Sequence, residues 1–295
     1  MTATAGETRR PDVKNWWASY PMTYGQNHGE LSWLTEEGVE LHFDVGTKEF
    51  FETVDRNFYR WNAPLHRDGA PFGRIFPYER YKGGRVLEIG CGIGTMAMNW
   101  GLQGSRITAV DLNPMAVEQT SRRFKLFDVP GRVMQADGRT LPFATGSFDF
   151  VYSWGVLHHS PDLERSLLEL LRVLRPGGEF AVMLYHRESI RYRYLIRYLE
   201  GFVHGESRFL DELQLASRYT DGKDKEGNPH TWPVTEAEMR HVFRSASKVD
   251  VTCFGRDIDN HFKLLMPGIW RVVPLALKKP WARRWGWSLW ITGKK

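Results

Sequence analysis

The residues best placed to do chemistry lie in one run, Val86-Leu87-Glu88-Ile89-Gly90-Cys91-Gly92-Ile93-Gly94-Thr95. It reads as a strand that ends in a glycine-rich turn and opens a helix. Glycine suits a backbone that must turn tightly and meet a ligand with no Cβ in between. A dinucleotide fingerprint, G-x-G-x-x-G, would put its third glycine at position 95, where Thr95 stands. That departure weakens a nicotinamide reading. Asp111 follows at the end of the next strand, about twenty residues on, where one carboxylate can accept from both hydroxyls of a ribose.

The spacing Glu88-x-Gly90-x-Gly92-x-Gly94 resembles the first motif of the class I S-adenosylmethionine-dependent methyltransferases. Further matches follow in register: Gln135-Ala136-Asp137-Gly138, Leu141-Pro142-Phe143, Ser147-Phe148-Asp149, and Arg172-Val173-Leu174-Arg175-Pro176-Gly177-Gly178. The likeness runs from about Gly84 to Arg187 and is nearest to small-molecule methyltransferases of the ubiquinone and natural-product type, through the loop Ser153-Trp154-Gly155-Val156-Leu157-His158-His159. It implies a Rossmann-like α/β fold, a mostly parallel seven-stranded sheet with an antiparallel last strand, and S-adenosylmethionine as cofactor. On this resemblance Glu88, Gly90, Gly92 and Gly94 lie against the methionyl half. Asp111 takes the ribose, Asp137 the adenine amino group, and Leu112, Gly138 and Ser153 complete the cofactor site. Related enzymes use an N-terminal helix as a lid, which would bring Tyr20 and Tyr24, with Trp16 and Trp17, over the cofactor; the equal rival is a packed core stripe. Each assignment has a plainer rival: glycines that only permit close packing, Asp111 as a helix cap, Asp137 as a turn residue beside Gly138, and Glu88 as a loop-ordering group.

A second set of residues could act on the acceptor. His158 and His159 suit proton removal or acceptor orientation, because imidazole titrates near neutrality. Tyr185 and His186, at the end of a later strand, are the next candidates, followed by Tyr20, Tyr24 and His28. The rival reading makes the histidines structural. No metal is expected: adjacent histidine side chains should diverge, and Cys91 and Cys253 stand in unlike contexts with no ligand pattern.

These residues need a scaffold of alternating strands and helices. Strands are expected at Arg85–Ile89, Arg106–Val110, Arg132–Gln135, Phe148–Ser153 and Glu179–Tyr185, with helices from about Gly94 to Leu102, from Pro114, and over Asp162–Leu174. Leu163, Leu167, Leu170, Leu171 and Leu174 share one face of the last helix, which Pro176-Gly177-Gly178 should end. A helix at Glu236–Phe243 and strands at Lys248–Phe254 and Trp287–Thr292 complete the pattern. The expected division is a lid over residues 1–82 and a catalytic domain over 83–295, with cap insertions at about 188–234 and 255–285. Asp221–Pro229, rich in charge, Gly and Asn, reads as a mobile loop.

The chain has 295 residues and a mild net charge of +5, and its apolar runs are too interrupted to span a membrane. Met1–Arg10 lacks the apolar core of an export signal, so a cytoplasmic protein is expected. The basic excess concentrates after His261, where no acidic residue occurs. The stretch from Asn260 to Trp285 mixes that charge with apolar and Trp residues, which suits the cover of a pocket for a hydrophobic or aromatic small molecule. It also suits peripheral contact with a membrane surface. The favoured reading is methyl transfer to a small acceptor, with O- or N-methylation ahead of C-methylation. The alternatives are an NAD-dependent oxidoreductase and a noncatalytic adenosyl- or nucleic-acid-binding protein. Nucleic acid is disfavoured because Ser153-Trp154-Gly155-Val156 stands where nucleobase methyltransferases often carry Asn-Pro-Pro-Tyr. The sequence leaves the oligomeric state open.

Overall fold

Val86 to Ile89 are buried on both faces, as a strand must be when helices cover each side of its sheet. The computed structural model describes residues 13–19, 30–34, 40–67, 69–221, 227–254, 268 and 272–295. In chain order, α1 (Val13–Ser19) precedes an antiparallel hairpin of β1 (Glu30–Leu34) and β2 (Glu40–Asp44) and then α2 (Lys48–Trp61). The alternating core follows: β3 (Arg85–Ile89), α3 (Thr95–Leu102), β4 (Arg106–Asp111), α4 (Pro114–Leu126), β5 (Gly131–Gln135), β6 (Phe148–Trp154), α5 (Leu163–Val173) and β7 (Leu174–Tyr185). Beyond it come α6 (Arg191–Val203), wound as a π-helix, then α7 (Glu212–Tyr219), α8 (Glu236–Val242), β8 (Lys248–Phe254), α9 (Leu275–Trp285) and β9 (Ser288–Lys294).

Seven strands form one sheet in the order β5-β4-β3-β6-β7-β9-β8. The first five in that order run parallel, and β9 lies antiparallel to both β7 and β8. The last strand in sequence is therefore antiparallel and sits between its neighbours rather than at the edge. The chain steps from β3 one way to β4 and later the other way to β6. That reversal opens a crevice at the carboxyl ends of these strands, the usual ligand site of such sheets.

Local chemistry explains the boundaries. Asn113 caps α4, its Oδ1 accepting from the Met115 amide at 2.9 Å, and Pro114 takes the first helical position. Asp162 caps α5, whose Leu167, Leu170 and Leu171 are buried in the core while Leu168 faces out. β7 begins earlier than the expected Glu179. Leu174 pairs with Phe148 and Glu179 with Phe150, so Arg175-Pro176-Gly177-Gly178 bulges out between two paired positions.

The N-terminal segment divides in two. Phe72, Phe76, Tyr78 and Tyr81 are buried in an aromatic cluster with Trp100, Phe150 and Tyr152, so the part next to β3 is core rather than lid. α1 remains as cover. The insertion after β7 docks on the loop that follows β6: the Trp232 amide donates to the His158 carbonyl at 2.8 Å, and Trp232 Nε1 donates to Ser160 O at 2.8 Å. Among the described residues no helix is long and apolar enough to cross a membrane.

Candidate active site

A cavity of about 1140 Å³ opens where β3, β4 and β6 end. It exceeds the roughly 300–1000 Å³ of a site for one drug-sized ligand, so two reactants can lie side by side in it. Glu88, Gly90, Gly92, Asp111, Leu112, Asp137 and Gly138 line one part. The other part is bordered by His159, Tyr185 and Asp221, with Trp154, Met183, Phe254 and Trp287 beyond.

The glycines of the loop have different jobs. All three adopt left-handed backbone, but a Cβ on Gly90 would come within 2.4 Å of Val156 Cγ1 and one on Gly94 within 2.7 Å of Thr120 Cγ2. Gly94 is not among the lining residues; it lets α3 start close against α4. A Cβ on Gly92 would meet nothing within 4 Å, so the backbone there faces open cavity. Asp111 is held from the same loop. The Gly92 amide donates to its Oδ2 at 2.9 Å and the Asn113 amide to its Oδ1 at 2.9 Å, leaving each oxygen able to accept once more. Because Asn113 caps α4, the rival reading of Asp111 as that cap does not hold.

Glu88 is buried at the cavity wall, and its Oε2 has no hydrogen-bond partner among the described residues. Burial pushes its carboxyl well above the ordinary range. Asp137 is already engaged: Arg139 grips both its oxygens, with Nη2 to Oδ2 at 2.7 Å. Against its partial burial, the Arg139 hydrogen bonds hold the Asp137 carboxyl below the usual range. Ser153 departs from expectation. It is fully buried away from the cavity, and its Oγ donates to the Ile89 carbonyl at 2.8 Å, tying β6 to β3. Above the loop, Val13, Lys14 and Trp17 of α1 border the cavity, and Asn113 Nδ2 donates to the Trp17 carbonyl at 3.0 Å. Tyr20, Tyr24 and His28 lie outside the described residues.

The two adjacent histidines separate by role. His159 Nδ1 faces the His230 carbonyl at 2.8 Å, so that nitrogen carries the proton, and Nε2 sits 3.1 Å from Asp221 Oδ2. The Tyr185 hydroxyl donates to the same Asp221 oxygen at 2.5 Å. Burial alone would raise the Asp221 carboxyl, but the His159 hydrogen bond and charge and the Tyr185 hydroxyl outweigh it and bring it down to about 2. Burial, with the Asp221 charge, pushes the Tyr185 phenol well up, so it stays protonated as a donor. His158 does not line the cavity. It is fully buried against the Tyr185 ring at 3.9 Å, both ring nitrogens lack partners among the described residues, and burial depresses it well below the ordinary imidazole range. His186 is likewise turned away, its Nδ1 on the Gly286 carbonyl at 3.1 Å.

Two expectations are corrected here. Adjacent histidine side chains do not diverge: the rings of His158 and His159 lie 4.3 Å apart, because the loop winds into a tight 3-10 turn. With Asp221 they bring three potential ligand atoms within 4.8 Å of one another. Of the segment read as a mobile loop, residues 222–226 lie outside the described residues, but its ends are anchored: Asp221 is fixed by His159 and Tyr185, and Asn228 is buried and bonds the Ser217 and Asp221 carbonyls.

Residues 87–182 match the family model described as a methyltransferase domain. This part of the chain is a methyltransferase domain of the class I, S-adenosylmethionine-dependent kind. It is 37% identical over 103 residues to 27-O-demethylrifamycin SV methyltransferase of Amycolatopsis mediterranei, covering 34% of this chain and 38% of that one. It is 38% identical over 102 residues to the phthiotriol/phenolphthiotriol dimycocerosates methyltransferase of Mycobacterium leprae, covering 34% and 37%. The chain thus spans under two fifths of the length of these curated relatives. A methyltransferase solved in complex with the Haloferax volcanii Trm112 activator shares the fold at a TM-score of 0.52 and 18% identity, covering 84% of this chain and 95% of that one. The family implies S-adenosylmethionine as cofactor, and the methyltransferase domain fits it. Gly92 offers open space at the loop, and Asp111 keeps acceptor capacity on both oxygens. The methyltransferase match also speaks against the nicotinamide alternative.

Proposed function

We propose that the protein transfers a methyl group from S-adenosylmethionine to the oxygen or nitrogen of a small hydrophobic or aromatic acceptor. The observation that carries this reading is the His159–Asp221 pair facing a cavity that also holds the glycine loop and Asp111. The cofactor supplies an electrophilic methyl group on a sulfonium. Asp111 would hold its ribose, Gly92 and the loop its methionyl half, and Leu112, Asp137 and Gly138 its adenine end.

The chain's part is alignment and proton removal. Trp154, Met183 and Trp287 give the acceptor an apolar seat, and α1 limits water over both halves, its Trp17 carbonyl on Asn113 and its Trp17 ring 5.1 Å from that of His159. Fixing the nucleophile in line can contribute up to about 7–11 kcal/mol. The His230 carbonyl accepts from Nδ1–H of His159, so once the His159–Asp221 pair has given up the proton lying between them, Nε2 presents its lone pair to an acceptor proton. The electron pair of the acceptor's O–H or N–H bond stays with the nucleophile as the proton leaves. That proton comes to rest between Nε2 and Asp221 Oδ2, the spacing of 3.1 Å found here. Tyr185 holds Asp221 in place for this exchange.

The test combines calorimetry with S-adenosylhomocysteine and transfer of labelled methyl from S-adenosylmethionine to a panel of hydroxylated and amino-substituted hydrophobic compounds. Micromolar binding and stoichiometric labelling of a panel member are expected. A folded protein that binds no S-adenosylhomocysteine would overturn the reading.

A further inference from the structure

We infer that the acceptor is an anionic amphiphile, with an apolar body and a carboxylate, sulfate or phosphate held on the α9 side of the cavity. The inference rests on the methyl-transfer reading and adds the acceptor's charge and orientation. The carboxyl groups that line the cavity, Glu88, Asp111, Asp137 and Asp221, lie at the ends of β3, β4 and β5 and beside His159, with Lys14 and Arg139 among them, whereas α9 contributes cations alone, Lys278, Lys279 and Arg283, and Arg191 enters from the start of α6.

The sequence of α9 supports a ligand for those cations. Other helices of this protein set opposite charges four residues apart, as in Lys48–Glu52 and Glu236–Arg240. α9 instead sets Lys279 and Arg283 at that spacing and has no acidic residue at all. Like charges so placed destabilise a helix, so a bound anion would relieve the repulsion. Among the described residues neither side chain has a carboxylate partner. Arg191 donates to the Tyr219 carbonyl at 3.3 Å and lies 5.3 Å from the centre of the Trp287 ring. It is thus steadied while its charge stays available.

The anion is an anchor and not the methylated atom. Asp221, held ionised beside His159, would repel a carboxylate brought to the reacting position. The group that receives the methyl enters neutral, and the charged end points to α9. Between them lie Trp154, Met183, Phe254 and Trp287 for the apolar body.

The probes are a medium-chain hydroxy fatty acid and its neutral methyl ester, titrated against the full chain loaded with S-adenosylhomocysteine and followed by tryptophan fluorescence. The acid should bind at least tenfold tighter than the ester, with the advantage shrinking as salt rises. Lys279→Glu with Arg283→Glu should abolish the preference while S-adenosylhomocysteine affinity is retained. Both positions are exposed, so the fold is not at stake. Equal binding of acid and ester, or a preference that survives charge reversal, would overturn the inference and leave the methyl-transfer reading intact. Loss of S-adenosylhomocysteine binding in the unsubstituted protein would strike that reading instead. Flotation with phosphatidylglycerol vesicles separates the remaining source of anion. Vesicle binding that needs Lys279 and Arg283, without binding of the monomeric acid, would assign the helix to a lipid surface and overturn the inference.

Discussion

Arg123 Nη2 meets Asp55 Oδ1 at 2.8 Å with both side chains shut away from water, and this pair fastens α2 to α4 behind the glycine loop. Arg123 Nη1 also donates to Thr95 Oγ1 at 2.8 Å, at the first residue of α3. Burial pushes the Asp55 carboxyl up despite the guanidinium beside it. The pair is therefore worth less than the loss of one member would suggest. Removing one partner leaves an uncompensated buried charge, at a cost of about 3–5 kcal/mol. Asp55→Ala should lose about that much in urea unfolding, and Asp55→Leu combined with Arg123→Met should recover most of it. A double variant as unstable as the sum of the singles would show that the two residues act independently.

The glycine loop yields a contrast between neighbours. Gly90→Ala forces a side chain into left-handed backbone and onto Val156, so steric strain of about 1–3 kcal/mol adds to the backbone cost. Gly92→Arg meets no neighbour at its Cβ and suffers chiefly the backbone cost of about 1–2 kcal/mol, but its long side chain fills the cavity. Thermal unfolding should rank Gly90→Ala as the less stable. Calorimetry should find S-adenosylhomocysteine binding gone in Gly92→Arg; binding equal to wild type in that folded variant would make the loop purely structural.

The cofactor side was legible because its signals are local. Glycine spacing, a strand-ending Asp111, the proline that opens α4 and the leucine face of α5 each follow from a few adjacent residues. The acceptor side depends on meetings between distant segments. Asp221 reaches Tyr185 across 36 positions, and the composition of its own loop points to mobility rather than anchorage. Which of two adjacent histidines faces the cavity depends on a single tight turn, and Arg139 on Asp137 depends on a turn too short to show a period. Ser153 and His186 look like site residues by position, yet Ser153 in β6 is taken up by the Ile89 carbonyl and His186, just past β7, by the Gly286 carbonyl.

Asp221 links the site to acid stability. Its carboxyl is depressed from 3.8 to about 2, so the folded form holds its proton less tightly than the unfolded chain. The resulting stabilisation is complete above about pH 4 and drains away as pH falls toward 2. At about 1.4 kcal/mol per tenfold, it is on the order of 2 kcal/mol. Asp221→Asn should lower stability by that order at neutral pH and flatten the acid limb of a stability profile between pH 4 and pH 2. An unaltered acid limb would mean that Asp221 is not held ionised by His159 and Tyr185.

His158 and His159 should part company on substitution. His159 lines the cavity and shares a proton with Asp221, so if it is the base proposed above, His159→Gln should lower turnover by about 10²–10⁴-fold. S-adenosylhomocysteine affinity should hold, since a base lost from the transition state need not alter ground-state binding. His158 carries two buried nitrogens without partners among the described residues, and an unsatisfied buried polar group costs about 1–3 kcal/mol. His158→Leu keeps an apolar body against Tyr185 and sheds that cost, so it should match or exceed wild-type stability with turnover nearly unchanged. Measuring both variants on one acceptor decides the matter: equal losses of turnover would mean that the histidines work as a unit, and a loss confined to His158→Leu would reverse the assignment.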